Sequence, residues 1–334
     1  MVKKIKWTRK LYQLILMLCI RIRPCKKISK SILKVTIGIP TYNQASFIEA
    51  AVKSALAQTY PNVEVIVADD CSFDNTAELM EPFKNDSRFF YCKNKKNLGR
   101  TRNYQHLLNN LASGDWYINM DGDDYFTDPE FIAKAVQLIA QKNNIVAVMA
   151  DCTLLDELTG KKILYTSYYM NEQQVEGIQF LKDVQLQKAQ TTHLTTMYNR
   201  QKAIDIHFYN VNILSSDFES LYRLLLHGSI IYLKQTVGVW RLHGNNLVTI
   251  KSVNESIQNL VLPGLVSSYA SSLGYRLQQW EKGMLQNMIG GLLIEAKKDG
   301  RLLNTFLQLI KHYPAATLRV LLQFSSVLKH LKPS

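Results

Sequence analysis

The sequence has few cysteines, and none of them are paired. Its 334 residues contain five, at Cys19, Cys25, Cys71, Cys92 and Cys152, and no two of them have the CxxC spacing. An odd count without paired spacing indicates neither a disulfide framework nor a zinc site. This cysteine usage favours a reducing cytoplasm.

Long hydrophobic runs are also missing. The apolar stretch Leu11–Ile20 has ten residues, about half of the roughly twenty that a helix needs to span a bilayer. Arg21, Arg23 and Pro24 follow it in place of a small-residue cleavage site, which argues against a cleaved signal peptide. No internal repeat or low-complexity tract is present.

Acidic residues are absent from residues 1–34, which hold eleven Lys/Arg, and the net charge of +13 is therefore uneven. Residues 251–334 carry +6, whereas residues 35–250 carry −4. Basic ends suit nucleic acid or an anionic membrane surface. Trp7, within a basic stretch rich in Leu, Ile and Met, favours an interfacial helix in segment 1–33. A helix that packs on the protein is the alternative. We predict contact with anionic membrane and not with nucleic acid.

From residue 34 onward, apolar runs alternate with helical patterns. "KVTIGIP", "VEVIVADD", "RFFYCKN" and "DWYINM" predict strands, and the segments between them predict helices. This alternation indicates an α/β fold with a mostly parallel sheet covered on both faces. Further on, Asp128 and Pro129 predict a helix start, "SIIYLKQTVGVWRLHGNN" predicts two short strands, and residues 251–334 form a basic helical region.

Polar residues follow three of the predicted strands where each strand ends. These are Pro40–Tyr42, Asp69–Asp70 and Asp121–Asp124. Ligands of such sheets bind beyond the carboxyl ends of the strands. We therefore expect the three segments to form one site.

The acidic stretch "DGDD" suits a hard divalent cation, which takes carboxylate oxygens. An EF-hand loop is excluded, because Phe126 and Ile132 occupy its Gly and Glu positions. A solvated turn in which Asp124 and Asp128 cap a helix is an open alternative. A nucleophilic aspartate of the phosphatase type lacks the lysine and threonine context.

Residues 34–130, with "IGIPTYNQ", "VADDCSFDNT", "NLGRTRN" and "INMDGDDYF", closely resemble the nucleotide-sugar half of family 2 glycosyltransferases. "SSDFESLYRLLLHGSIIYLKQTVGVWRLHGNN" continues the resemblance. It implies the GT-A fold with a C-terminal helical extension. The implied organisation is a domain at 34–250 (34–125 for the nucleotide sugar, 126–250 for the acceptor) between the basic segments 1–33 and 251–334.

The resemblance also implies roles for single residues. Asp121 and Asp123 match the DxD motif that holds a divalent metal, Mn²⁺ or Mg²⁺, and through it the diphosphate. Arg102 matches an arginine of the family that lies near the nucleotide, and Arg100 is its neighbour. Asp70 matches the acid that bonds the edge of the pyrimidine. Pro40, Thr41 and Tyr42 match the turn in which the family holds the base of the nucleotide.

Asp217 matches the catalytic base of the family, although Ser216 stands where the family usually has Glu. Glu219 is the alternative for this role, and Asp217 can also cap a helix. His243 matches a histidine that completes the metal shell in some relatives. His193 and Trp240 are candidates for the acceptor pocket, where aromatic rings suit sugar faces.

Together these features predict an inverting transferase that moves one sugar from a nucleotide-diphosphate sugar, with UDP-sugars favoured. The acceptor is a growing, lipid-linked surface glycan, such as lipopolysaccharide or capsule, on the cytoplasmic face of the cell membrane. A QxxRW motif, typical of processive synthases, is absent. Two alternatives are a catalytically impaired GT-A scaffold and a nucleotidyltransferase acting on sugar phosphates. The latter would need a Gly-rich phosphate loop, which "IPTYNQA" does not provide.

Overall fold

A computed structural model describes residues 32–244 and 252–330, with side chains as far as Leu322. Almost all of segment 1–33, for which an interfacial helix is predicted, lies outside the described residues. In the part that is described, no helix combines the length and the apolar character needed to cross a membrane.

One sheet organises the fold, and the described ranges contribute ten strands to it. They are β1 Val35–Thr41, β2 Val63–Asp69, β3 Phe89–Lys93, β4 Trp116–Asn119, β5 Tyr125–Phe126, β6 Ile145–Asp156, β7 Lys162–Tyr165, β8 Gln173–Glu176, β9 Thr196–Asn199 and β10 Ser229–Leu242. Their order is β3-β2-β1-β4-β9-β6-β10-β5, with β7 on β6 and β8 on β10. Six strands (β1–β4, β6 and β10) run in one direction, so the sheet is mostly parallel, as expected.

Helices cover both faces of this sheet and continue beyond it. Those of the α/β part are α1 Ala45–Leu56, α2 Thr76–Met80, α3 Arg100–His106, α4 Phe131–Gln141, α5 Gly177–Gln185, α6 Arg200–Asp205 and α7 Ser216–Leu225. The C-terminal part contains α8 Val253–Gln258, α9 Leu262–Ser272, α10 Gln278–Lys298, α11 Leu302–His312 and α12 Pro314–His330. A short 3₁₀ turn, Asn259–Val261, joins α8 to α9.

The central strands are apolar on both sides, because each side meets a hydrophobic core. All seven residues of β1 and of β2 are buried. On one face Ile37 packs with α1, whose buried side Ile48, Ala51, Val52 and Ala55 has the helical period. Burying a side chain such as Ile48 contributes roughly 1.5–3 kcal/mol.

The opposite face packs against α3, α5 and α7. Gly38 of β1 belongs there: a Cβ at this position would collide with the Tyr117 hydroxyl and with Leu107. The C-terminal helices join the same core through Trp280, whose indole N–H donates to the Leu181 carbonyl at 2.8 Å. A separate small core around Ile289 and Leu309 holds α10–α12 together.

Two expectations about local structure are wrong. The segment 229–242 is one strand and not two, because register shifts between Leu233 and Gly238 let it keep pairing with β6 across an irregular stretch. Helix α4 begins at Phe131 and not at Pro129. Asp128 instead accepts from the Glu130 N–H and from the Gln235 amide, so it ties the helix start to β10.

Candidate active site

Three strand ends meet at one edge of the sheet, and main-chain hydrogen bonds hold them together. The Asp70 N–H donates to the Thr41 carbonyl at 2.9 Å, and the Gly122 N–H donates to the Pro40 carbonyl at 3.1 Å. A cavity of about 660 Å³ lies at this edge. Eleven of the residues singled out in the sequence line it: Pro40, Thr41, Tyr42, Asp70, Arg100, Asp121, Asp123, Asp124, His193, Asp217 and Trp240.

The turn after β1 presents an aromatic ring at the cavity. Tyr42 is 41% exposed, and its ring meets that of Phe73 edge-on, with centroids 6.3 Å apart. Asn43 follows with a φ of 53°, and its side chain accepts from the Phe73 N–H at 2.9 Å. This left-handed residue, which Asn tolerates better than most side chains, turns the chain into α1 and leaves the Tyr42 ring accessible.

Asp70 organises the neighbouring loop. Its Oδ1 accepts from the Asn94 side-chain amide and from the Leu98 N–H, and its Oδ2 accepts from the Gly99 N–H, all at 2.8–2.9 Å. A carboxylate has about four lone-pair sites. Three of them are therefore used, and Oδ2 keeps one for a ligand.

Arg100, and not Arg102, belongs to the cavity. Arg102 is exposed on α3 and is not among the residues that line the cavity. Arg100 lines it, its guanidinium lies 5.7 Å from the Tyr104 ring centre, and it interacts electrostatically with Asp217 and Asp121. The structure therefore places the assigned arginine outside the cavity and its neighbour inside, because the two lie on different faces of one helix.

The acidic cluster follows β4 and is held in shape by polar neighbours. Oxygens of Asp121, Asp123 and Asp124 lie within 4.8 Å of one another. Asp121 accepts from the Tyr104 hydroxyl at 2.6 Å and from the Asn119 amide at 3.2 Å, both on Oδ1. Neither bond uses Oδ2, which stays available to a ligand.

Asp124 does not cap a helix, contrary to the alternative of an acidic turn. It is buried, and its Oδ1 accepts from the Arg241 N–H of β10 at 3.0 Å. Burial, and then the charges of Asp123 and Asp121, raise its pKa well above the ordinary range. It therefore joins the acidic cluster instead of starting α4.

The cluster fits a divalent cation. Burial, followed by the charge of Asp123, raises the pKa of Asp121 to about 7. The raised pKa values of Asp121 and Asp124 mean that these two carboxyls resist ionisation unless a cation compensates their charge. The donors are carboxylate oxygens, the hard ligands that Mg²⁺ and Mn²⁺ prefer.

The glycine in the cluster is required by a close contact. A Cβ on Gly122 would lie 2.6 Å from Gln44 Oε1 and 3.0 Å from Thr41 Oγ1. Both distances are shorter than ordinary van der Waals contact. A side chain at residue 122 would therefore displace the Gln44 side chain and press on Thr41, in the turn that follows β1.

His243 reaches the cluster from the end of β10. Its Nε2 lies 2.9 Å from Asp123 Oδ2, and its ring stacks on Phe47 at a centroid distance of 4.6 Å. It is not among the residues that line the cavity. A histidine at this position can orient Asp123 or share a metal with it.

Asp217 lies in the first turn of α7, near His193. Asp217 Oδ2 and His193 Nδ1 are 4.0 Å apart. The same Nδ1 lies 3.2 Å from the Asn119 amide nitrogen, and Nε2 lies 2.7 Å from the Tyr209 hydroxyl. Because an amide N–H can only donate, Nδ1 is the acceptor, and the neutral imidazole carries its proton on Nε2.

The alternative base is engaged elsewhere. Glu219 is buried and forms an ion pair with Arg223 at 2.6 Å, one helical turn further along α7. It does not line the cavity, whereas Asp217 does. Ser216 is buried, with its Oγ 3.5 Å from Thr101 Oγ1. Trp240 and Phe218, the residue after Asp217, add aromatic rings to the cavity wall.

Two residues with a place in this site were not singled out from the sequence. Tyr104 bonds Asp121, and Asn119 bridges Asp121 and His193. Both residues have a recognisable feature in the sequence. Tyr104 lies one helical turn after Arg100, and Asn119 is a polar residue in an otherwise apolar strand. Neither pattern identifies a partner, because the partners come from other elements.

A mostly parallel sheet of this strand order, with carboxylates at the carboxyl edge and helices on both faces, defines the GT-A class of nucleotide-sugar transferase folds. Two solved structures of glycosyltransferases have folds similar to that of this chain. S. aureus TarS 1-349, crystallised with UDP-GlcNAc, superposes with a TM-score of 0.57 at 15% identity, covering 85% of this chain and 88% of that one. The mannosyltransferase PcManGT of Pyrobaculum calidifontis, solved with GDP-Man and Mn²⁺, gives 0.51 at 15% identity, covering 94% and 93%.

The family follows from sequence similarity. The family model "Glycosyl transferase family 2" matches residues 36–204, about half of the chain, and the chain belongs to this family. An Escherichia coli relative, UDP-Glc:alpha-D-GlcNAc-diphosphoundecaprenol beta-1,3-glucosyltransferase WfaP, is 39% identical over 92 residues, 28% of this chain and 36% of that protein. The matches span well under half the length of the first curated relatives.

Proposed function

We propose that this protein transfers a single sugar from a nucleoside-diphosphate sugar to a hydroxyl of a glycan acceptor, with inversion of the anomeric centre. The observation that carries the proposal is the convergence of three features on one cavity. These are the Tyr42 turn with Asp70, the cluster of Asp121 and Asp123, and Asp217 at the start of α7. In this proposal the first two features would hold the donor, and the third would act at its anomeric carbon.

The nucleoside would bind at the turn after β1. The accessible Tyr42 ring offers a face for stacking a base. The remaining acceptor site on Asp70 Oδ2 suits the N3–H of uracil, whereas cytosine has an acceptor at that position. We therefore favour a UDP-sugar donor. TarS was solved with UDP-GlcNAc and WfaP is named for UDP-Glc, which supports this choice.

The diphosphate side would involve a divalent metal, Mn²⁺ or Mg²⁺, held by Asp121 and Asp123. When bound, such an ion acts as a Lewis acid toward the departing diphosphate. Within the chain, Tyr104 and Asn119 fix Asp121 through Oδ1, and His243 fixes Asp123. Mn²⁺ in the PcManGT structure supports the choice of ion class.

Asp217 would act as the general base. Its carboxylate removes the proton from the acceptor hydroxyl as that oxygen attacks the anomeric carbon, and the nucleoside diphosphate leaves from the opposite face. His193 is neutral and close to Asp217, with its Nδ1 bonded to Asn119 and its Nε2–H to Tyr209, so it would shape the wall beside Asp217 without competing for the proton. The Ser216 hydroxyl is buried and faces Thr101.

The acceptor would be a lipid-linked or polymeric glycan made for the cell surface. WfaP is named for an acceptor on diphosphoundecaprenol, and TarS for poly(ribitol-phosphate). Trp240 and Phe218 line the cavity, Phe218 directly after Asp217 on α7, and aromatic rings suit the apolar faces of a sugar. We place acceptor binding at these two rings.

A lipid-linked acceptor would be presented at a membrane surface. We propose that the protein acts at the cytoplasmic face of the cell membrane. Helices α11 and α12 expose Leu303 (72%), Leu307 (58%) and Leu318 (53%), and the exposed Lys311 and Arg319 lie on the same two helices. Apolar and basic groups together favour anionic lipid. Segment 1–33, almost all of which lies outside the described residues, is the second candidate contact.

Vesicle sedimentation tests the membrane contact. We expect the protein to pellet with vesicles containing phosphatidylglycerol and to stay in solution with pure phosphatidylcholine. The double variant Leu303→Ser/Leu307→Ser should pellet less. Equal sedimentation with both vesicle types would contradict the proposal.

Donor hydrolysis tests the catalytic proposal. A panel of nucleotide sugars is incubated with Mn²⁺, with water as the acceptor, and the released nucleotide is measured. We expect one UDP-sugar to be hydrolysed, and Asp217→Asn to lower the rate by about 10²-fold or more. Asp205→Asn, an exposed acid on α6, is the matched control.

The alternatives predict other results. A catalytically impaired scaffold would bind a donor without turnover, and the Asp217 variant would equal the wild type. A nucleotidyltransferase would release pyrophosphate from a nucleoside triphosphate and a sugar phosphate. If no donor binds in the presence of Mn²⁺, the proposed function is wrong.

A further inference from the structure

A residue of the C-terminal helical region reaches the segment that precedes Asp217. Asn259, in the 3₁₀ turn between α8 and α9, accepts from the Ser215 N–H at 2.8 Å through its Oδ1. Its Nδ2 donates to Ser215 Oγ at 2.9 Å. Both polar atoms of one amide are thus bonded to one residue. Asn259 is half-buried and lines the cavity beside Asp217.

The same segment is held from the opposite side by α3. The Arg100 guanidinium donates to the carbonyls of Ile213 and Leu214. Residues 213–215 are therefore fixed between the nucleotide half of the molecule and the C-terminal helices. These residues belong to no helix or strand, and the contacts with Arg100 and Asn259 hold the segment that leads into α7.

The start of α7 has no side-chain cap of its own. Ser215 is the N-cap residue, but its side chain makes no capping hydrogen bond. Its Oγ is bonded to Asn259 instead. A capping Ser normally fixes the first turn of a helix by bonding a main-chain N–H. Here that task passes to the contact with Asn259, two residues before Asp217.

We infer that Asn259 is a positioning residue for Asp217, and that the C-terminal helical region is therefore part of the catalytic unit. The inference rests on the proposed function, in which Asp217 is the base. Neither residue lies within the matched family region 36–204. The effect is local: Asn259 contacts neither the Tyr42 turn nor the acidic cluster, so donor binding should not depend on it.

Two measurements test this role in the full-length protein. Hydrogen–deuterium exchange reports the contact without requiring turnover. We expect Asn259→Ala to raise exchange in a peptide covering residues 213–219 and not in one covering residues 38–44. Donor hydrolysis should show kcat reduced by about tenfold, because a small displacement of a reacting group is costly, with an unchanged KM for the donor.

Two further variants serve as controls. Asn304→Ala removes an exposed asparagine of α11 and should match the wild type in both measurements. Asn259→Asp keeps an acceptor for the Ser215 N–H and can accept from its hydroxyl, so exchange protection should return. Its added negative charge should move the acid limb of the kcat profile to higher pH, because a like charge disfavours ionisation of Asp217.

The outcomes separate the contact from its catalytic role. Unchanged exchange in residues 213–219 overturns the inference, and so does raised exchange with an unchanged kcat. A changed donor KM, or a loss of thermal stability, without a change in kcat also contradicts it. If the wild type hydrolyses no donor, the proposed function fails and the positioning role falls with it, while the exchange response still shows the contact.

Discussion

The environment of His193 makes protein stability depend on pH in a direction that can be tested. Its side chain is 12% exposed, and burial lowers its pKa to about 4, although the charge of Asp217 opposes this. The groups that face it are Asp217 on α7, Arg100 and Tyr104 on α3, and Tyr209. In the unfolded chain its pKa is about 6.5.

The direction of the pH dependence follows from how many protons the folded and unfolded states bind. Between about pH 6.5 and about pH 4 the unfolded chain binds a proton at residue 193 and the folded protein does not. The free energy of unfolding therefore falls as the pH falls through this window. A single site with these two pKa values removes about 2 kcal/mol between about pH 7 and about pH 5.

The perturbation is His193→Gln, which keeps a donor and an acceptor but does not titrate. Urea unfolding, followed by circular dichroism in EDTA, gives the free energy of unfolding at both pH values. We expect the difference between the two pH values to be about 2 kcal/mol smaller in the variant. His312→Gln, at an exposed position of α11, should leave the difference as in the wild type.

One result would refute this reasoning. If His193→Gln loses stability by the same amount at both pH values, the imidazole titrates alike in the folded and unfolded states. The assignment of a neutral His193 in the folded protein, and of a hydrogen bond from Asn119 to its Nδ1, would then be wrong.

Three further predictions concern packing and polar contacts. Gly122→Ala should weaken Mn²⁺ and donor binding about tenfold, and Gln44→Ala should partly restore it in the double variant, because the added Cβ meets the Gln44 side chain. Tyr104→Phe should lower Mn²⁺ affinity by about tenfold or more, since a hydrogen bond to the Asp121 carboxylate contributes about 1.5–3 kcal/mol. Trp280→Phe should lower the free energy of unfolding by about 1–3 kcal/mol, because the hydrogen bond from the buried indole N–H to the Leu181 carbonyl is lost and the smaller ring leaves a cavity.

Isothermal titration with Mn²⁺ measures the first two effects, and urea unfolding measures the third. If the effects of the two substitutions simply add in the double variant, the predicted contact between a side chain at residue 122 and Gln44 is contradicted. Tyr91→Phe removes a hydroxyl that bonds Asp69 outside the acidic cluster, and it should leave Mn²⁺ affinity unchanged. Equal stability of the wild type and the Trp280 variant would contradict the role of the indole N–H.

Part of the fold could be predicted from the sequence because it depends on local pattern. β1, β2 and α1 follow from apolar runs and a helical period, and the resemblance to family 2 glycosyltransferases gave the class. The single strand β10 and the start of α4 could not be predicted. A strand that crosses register shifts looks like two, and the side chain of Asp128 serves β10 as well as the helix.

For the site, the sequence by itself determined which residues follow the strands and carry suitable chemistry, such as Asp70, Asp121 and Asp123. Strand ends of a parallel sheet meet at one edge, so this inference needs no coordinates. Only the tertiary structure decided that Arg100 and not Arg102 faces the cavity, that Asp124 joins the acidic cluster, and that Asn259 reaches Ser215. The physical reason is that each of these depends on a partner from a distant part of the chain, and local pattern carries no information about such partners.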